Sequence, residues 1–208
     1  MCCRYYILPQ GVEWDPIREG AEHARLMERF RAAGAKLTLA GEVRPTDLAP
    51  VLATDRGGGQ SWFPMRWGFR LEGARGGPLI NARVETAGEK PSFREAWRSH
   101  RCAVPATGYY EWERLKDGNG RTRTGTRYAV TRPGAPLLWL CGLYRIEAGL
   151  PVFVILTRPP SEALARIHDR MPLILPDQLI RDWIDPAASP EALLPLACTA
   201  LRAAARQE

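Results

Sequence analysis

The sequence predicts an α+β protein in which an antiparallel, barrel-like β core is surrounded by flanking helices. Three observations carry that expectation. From Arg101 onward, short runs rich in β-branched and aromatic residues follow one another, separated by turn residues. Helical patterns lie before and after these runs. No internal repeat or long linker divides the 208 residues, so positions 1–208 read as a single domain. Apolar content of 45% and charged content of 25% suit an ordinary globular chain with a sizeable core.

The elements follow in order. Asp15 and Pro16 look like an N-cap and a first helical residue. Ile17, Ala21, Ala24, Met27, Phe30 and Ala33 then recur at helical spacing up to Gly34. "GEVRPTDLAPVLAT" and "SWFPMRWGF" are strand-like and joined by "DRGGGQ". "PLINARVETAGEK" has few core formers for its length and reads as an ordered functional loop. "PSFREAW" is a short helix. "RCAVPA", "GYYEWER", "RYAVT", "PLLWLCGLYR" and "PVFVILT" are strands, with a hairpin connection in "LKDGNGRTRTGT". "PPSEALARIHDR", "PDQLIRDWID" and "SPEALLPLACTALRAAAR" read as helices.

Composition narrows the function classes. No apolar run approaches the roughly 20 residues of a membrane-spanning helix, and the first residues lack a secretory pattern. The cysteines (Cys2, Cys3, Cys102, Cys141, Cys198) are odd in number and show no CxxC spacing. That argues for a reducing compartment, the cytoplasm, and against a disulfide framework or a zinc ribbon. With three histidines, no metal site and no cofactor is expected. The net charge is +6, and Lys36, Lys90 and Lys116 are the only lysines, so the positive charge is almost all arginine. Arginine's planar fork suits phosphates, although arginine-rich codon usage explains the same bias.

Polar residues interrupt buried patterns at four places. Asn81 and Arg83 follow Leu79 and Ile80. Glu111 sits between Tyr110 and Trp112, where a buried carboxylate is costly without a partner. His168, Asp169 and Arg170 lie between an apolar helix face and an apolar strand. Cys2 and Cys3 stand directly behind Met1. Singly, each has an ordinary explanation: a solvent-facing strand Glu, a helix-capping His, a turn Asn, a core Cys. Together, a thiol, a carboxylate, an imidazole and an amide are the parts of a nucleophile with acid–base partners.

The blocks "MC-R", "GEVRPTD-AP", "MRWGF", "INARVET", "RC-VPA-GYYEW" and "IHDRMPLIL", in this order over residues 1 to about 175, resemble the SOS-response-associated peptidase (SRAP) family. The resemblance implies the SRAP fold and a nucleoid-associated protein; nothing in the sequence suggests an obligate dimer, so a monomer is expected. The resemblance also implies that Met1 is removed, that Cys2 becomes the N-terminal residue, and that Cys2 attaches covalently to an abasic site in single-stranded DNA. An α-amine of pKa near 8 is partly neutral at pH 7 and captures the sugar aldehyde as an imine. The adjacent thiol then closes a thiazolidine at high effective molarity. By the same resemblance Glu111 is the acid–base group, with self-processing and lyase-like chemistry also implied. His168 assists from the other side, and Asn81 orients the amine. Arg83 holds a phosphate, with Arg4 and Arg170 as further DNA contacts. Pro45 and Thr157 line the pocket, and Trp67 is either a base-stacking wedge or a core residue. The family usually has glycine where this chain has Cys3, which is expected to be a small buried filler. Two other readings remain open at this stage: a thiol peptidase acting on proteins, and a non-covalent module for single-stranded or modified DNA.

Overall fold

In a computed structural model of the chain, residues 3–8, 26–71, 73 and 76–206 are described. Two β-sheets dominate. The larger contains β3 (Leu48–Thr54), β4 (Gln60–Trp67), β6 (Arg101–Ala106), β9 (Leu138–Glu147) and β10 (Leu150–Arg158). β10 pairs with both β4 and β9, so the order β10-β4-β3-β6-β9 returns to β10 and closes a five-stranded barrel. The smaller sheet has the order β13-β8-β7-β1-β2. It is built from β1 (Arg4–Ile7), β2 (Gly41–Val43), β7 (Gly108–Lys116), β8 (Thr122–Thr131) and β13 (Arg202–Arg206).

Residue alternation explains why both faces of the barrel wall are covered. In β10, Phe153 and Ile155 enter a core shared with Tyr5, Val51, Met65 and Val104. Val152, Val154 and Leu156 face a second core with Trp97, Leu143 and Trp183. A strand buried on both faces reads as one continuous apolar run, as "PVFVILT" does. The second core sits beneath the short helices Arg94–Ser99, Ile180–Ile184 and Pro190–Leu193. Arg101 fastens this layer from inside. Only 1% exposed, it donates to the carbonyls of Trp183 at 2.7 Å, Trp97 and Arg98 at 2.9 Å and Ala188 at 2.8 Å, and also to that of Asp185. One guanidinium thereby caps the C-terminal ends of two helices.

The expected barrel core with flanking helices is present, and three details are corrected. The barrel is not wholly antiparallel: β10 runs parallel to β4, and also to β5 (Asn81–Arg83), which branches off the ring. "PLINARVETAGEK" is therefore not a loop throughout, since β5 leads into a helical turn at Val84–Ala87. The last helix is cut short by Pro195, and "RAAAR" is strand β13, paired with β8 from Arg202–Thr131 to Arg206–Arg127. Pairing onto an open sheet edge outweighs alanine's helix propensity there. Trp67 is a core residue. It is fully buried, lies 6.1 Å from Phe153 in a stacked arrangement, and donates through Nε1 to the Ile80 carbonyl at 2.9 Å. No face of its indole is open to a base. Of the expected first helix, Leu26–Ala32 is observed with Met27 and Phe30 buried; its start at Asp15 lies outside the described residues.

Candidate functional site

β1 lies between β2 and β7, and its register with β7 pairs Arg4 with Tyr110. Cys3, the residue preceding Arg4, is thus delivered to the part of β7 that carries Glu111. A cavity of about 330 Å³ opens there, lined by Cys3, Arg4, Glu111, Trp112, Arg114 and His168 among others. Met1 and Cys2 lie outside the described residues. A larger cavity of about 980 Å³, walled by Phe63, Met65 and Ile146, lies toward the Pro151 end of β10 and holds neither Glu111 nor His168.

Glu111 and His168 are both buried, with His168 Nε2 3.9 Å from Glu111 Oε1. Burial is the main cause that raises the Glu111 carboxyl above its ordinary value, while Arg114 opposes it. Burial also lowers the His168 imidazole to about 4, with Arg114 pushing the same way and Asp169 opposing. The imidazole is therefore neutral near neutral pH. Two groups meet its Nδ1: the Arg170 amide N–H at 3.0 Å and the Asp169 carboxylate at 2.8 Å. They require opposite tautomers. The Arg170 amide is fixed in the backbone, whereas Asp169 is exposed and also meets Arg114 at 3.2 Å. We assign Nδ1 as the acceptor, which leaves the proton on Nε2, facing Glu111.

Cys3 is half-buried. Burial first and then the nearby Glu111 raise its thiol above the ordinary value, so it is a poor thiolate. Half-buried, it lines the cavity rather than filling the core as the sequence leads one to expect.

A second cluster adjoins the first through the backbone at Arg170. Its guanidinium grips Glu85 with both arms, at 2.7 and 2.8 Å, and donates to the Thr157 carbonyl at 2.6 Å. Arg170 is therefore a clamp on the helical turn after β5, its fork occupied by Glu85 rather than open to a phosphate. Thr157 is fully buried, pairs with Arg83 across β10 and β5, and donates to the Ala82 carbonyl at 3.2 Å. Asn81 begins β5 opposite Ile155. Arg83 is exposed and forms no ion pair among the described residues. Arg4 is held by Glu42 at 2.9 Å and lies over the Trp112 ring, 5.2 Å from its centre.

Pro45 occupies a tight turn in which the Asp47 amide donates to the Arg44 carbonyl at 3.0 Å. The next residue, Thr46, adopts φ +77°, a left-handed conformation that is strained for a β-branched side chain. Its amide donates to the Trp67 carbonyl at 2.8 Å.

The sequence thus names both members of this buried carboxylate–imidazole pair. It misses Trp112 and Arg114 as cavity walls, although they follow Glu111 in the same strand, and Glu85 as the partner of Arg170. Among the described residues no group of three or more His, Cys, Asp or Glu side chains could hold a metal ion, and no helix is long and apolar enough to cross a membrane.

These features define a class: a barrel protein with a buried carboxylate–imidazole pair placed beside its first strand. The chain belongs to the SOS response associated peptidase (SRAP) family, whose sequence profile matches residues 1–206. It is 38% identical over 131 residues to the abasic site processing protein YoqW of Bacillus subtilis, a match covering 59% of this chain and 56% of YoqW. The chain therefore spans a little over half of that relative's length. It is 35% identical over 168 residues to the abasic site processing protein YoaM of the same organism, covering 74% of this chain and 72% of YoaM. To YedK of Escherichia coli, also named an abasic site processing protein, identity is 32% over 124 residues, or 58% of this chain and 54% of YedK. A crystal structure of a Bacteroides thetaiotaomicron protein shares the fold, with a TM-score of 0.75 at 21% identity, covering 100% of this chain and 93% of that one. A phage-related protein from Bordetella bronchiseptica does likewise, with a TM-score of 0.71 at 23% identity, over 100% and 95%.

Proposed function

We propose that this protein processes abasic sites in single-stranded DNA by linking itself to them through Cys2 once Met1 is removed. The observation that carries the reading is the burial of Glu111 and His168 in one cavity with Cys3, the residue bonded to Cys2. The relatives' names supply the substrate class.

The chemistry balances without an external oxidant or reductant. The Cys2 amine adds to the C1′ aldehyde of the ring-opened sugar, and the carbinolamine loses water to give an imine. The thiol then adds across the C=N bond, its proton passing to nitrogen, and a five-membered thiazolidine results. Glu111, whose carboxyl burial raises, is placed to give a proton to the departing hydroxyl and to take back the one that nitrogen sheds as the imine forms. The gap of 3.9 Å between Glu111 and His168 leaves a place beside both where a substrate oxygen sits within about 3 Å of each group. Arg83 takes a flanking phosphate. Thr157 holds the strand β5 that carries it, through its pairing with Arg83 and its bond to the Ala82 carbonyl, Asn81 orients the Cys2 amine, and Pro45 is a further pocket residue.

The test is a denaturing gel of protein incubated with single-stranded DNA containing an abasic site. Wild type gives a denaturant-stable adduct, while Cys2→Ala and a form that retains Met1 give none. An adduct of equal yield from Cys2→Ala would overturn the reading. Binding that appears only on native gels would instead identify a non-covalent module, and cleavage of added polypeptides without DNA a general peptidase.

A further inference from the structure

The face of the smaller sheet turned away from the core is unusual. Directly paired residues share a face in an antiparallel sheet, and so do residues two apart on one strand. The register pairs Arg4 with Tyr110, Tyr6 with Gly108, Trp112 with Arg127, and Arg127 with Arg206. These side chains therefore line one surface across β1, β7, β8 and β13. The opposite face carries Tyr5, Ile7, Tyr109 and Val130, all in the core.

The surface is a pile of aromatic rings and guanidinium groups. Tyr6 packs on Tyr110 with ring centres 4.8 Å apart. Arg127 lies 4.9 Å from the centre of the Tyr110 ring, and Arg4 covers Trp112. Gly108 makes room for this packing, since a Cβ there would collide with the Tyr6 hydroxyl and, at 2.6 Å, with the Val130 carbonyl. The charge is one-sided. The one carboxylate that the register of the described strands places on this face is Glu42, opposite Tyr6, and it is taken by Arg4 and Arg44. Arg127 and Arg206 form no ion pair among the described residues, and the buried Nε of Arg127 has no hydrogen-bond partner there. The surface also touches the site, because Arg4 and Trp112 line the Glu111 cavity.

We propose that this outer face is a second contact surface for single-stranded DNA, carrying the strand away from the Glu111 cavity over Trp112 and Tyr110 toward Arg127 and Arg206. Planar groups interleaved with cations are what a sequence-tolerant single-strand platform requires: the rings hold the guanidinium planes flat, bases stack on those planes, and phosphates take the charges of Arg127 and Arg206. The inference rests on DNA being the partner, as proposed above. It adds a path that none of Arg83, Asn81 or Thr157 supplies.

The experiment uses single-stranded DNA with a tetrahydrofuran abasic analogue, which has no aldehyde, and reads non-covalent affinity by anisotropy across a salt series. The Arg127→Ser, Arg206→Ser double variant is expected to lose several-fold in affinity, with a salt slope shallower by about 1.4, roughly 0.7 per phosphate contact on a single strand. Its adduct yield with saturating aldehyde-bearing DNA is expected to stay at the wild-type level. Arg206→Glu, on an exposed strand, gives the same direction should Arg127→Ser disturb packing. A control variant, Arg94→Ser with Arg181→Ser, removes equal charge from the helical side, and its slope is expected to stay at the wild-type value. Wild-type affinity and slope in both surface variants, or an equal loss in the control, would overturn the surface while leaving the covalent reaction untouched. A wild-type protein that neither binds the analogue nor forms an adduct would overturn both readings.

Discussion

Two buried ionisable side chains, Arg101 and Glu111, lie on consecutive strands and serve opposite ends. Arg101 is surrounded by carbonyl oxygens: five backbone groups, four at two helix ends and one in the turn that follows, accept its N–H bonds. Every donor direction is directed into the fold, and no cavity reaction needs it. Glu111 sits beside an imidazole at non-bonding distance, in a cavity open to solvent, with its carboxyl raised by burial. A buried charge wrapped in backbone holds a structure together. A buried carboxyl facing a neutral imidazole across a gap is the arrangement on which the proposed proton transfers rest.

Substitution separates the two roles. Arg101→Met leaves five carbonyls without their donor and is expected to cost about 3–5 kcal/mol of stability, read as a lowered denaturation midpoint, with adduct chemistry intact in the molecules that remain folded. A near-wild-type midpoint would mean that the helix ends find other donors. Glu111→Gln is expected to do the reverse, slowing adduct formation by roughly 10²–10⁴-fold without loss of stability, as single-turnover gels and thermal melts would report. Unchanged kinetics would remove Glu111 from the reaction.

The pH dependence sharpens the contrast. Because the folded Glu111 carboxyl is raised, its contribution to stability is complete below the ordinary carboxyl value of 4.5 and is lost as pH rises through the folded value. Glu111→Gln should therefore melt above wild type by a margin that widens with pH from about 4.5 upward, checked by melts across the range; a margin that narrows would contradict the raised carboxyl. His168 acts at the other end. Its folded value of about 4 lies below the ordinary 6.5, so stability falls as pH drops from 6.5 toward 4 and the unfolded chain takes up the proton. The smallest effect belongs to the rim. Arg114→Ala breaks an ion pair with Asp169 whose side chains are 49% and 67% exposed, and is expected to change stability by less than about 1 kcal/mol. A larger loss would make Arg114 part of the packing rather than the rim.

The strands were legible where alternation or a continuous apolar run survives, as in "RCAVPA" and "PVFVILT". The barrel's closure was not, because the parallel contact of Phe153 with Trp67 joins segments that share no local signal. The C-terminal "LRAAAR" looks helical by composition and becomes a strand only because β8 offers it an edge. In the site, Glu111 and His168 showed themselves as polar intrusions into apolar patterns. Arg170 read as a DNA contact, since nothing local announces Glu85 as its partner 85 residues away. Arg101 gave no sign at all: an arginine opening a strand looks like a surface residue until two helices close over it.

The central claim is that the reactive group is the amine and thiol of Cys2. Intact-mass analysis of the protein after incubation with abasic single-stranded DNA tests it most directly. The expected result is one species whose mass is that of the chain lacking Met1 plus the DNA, less one water, with the linkage mapping to Cys2. A linkage at an internal residue, or an adduct that still carries Met1, would contradict it.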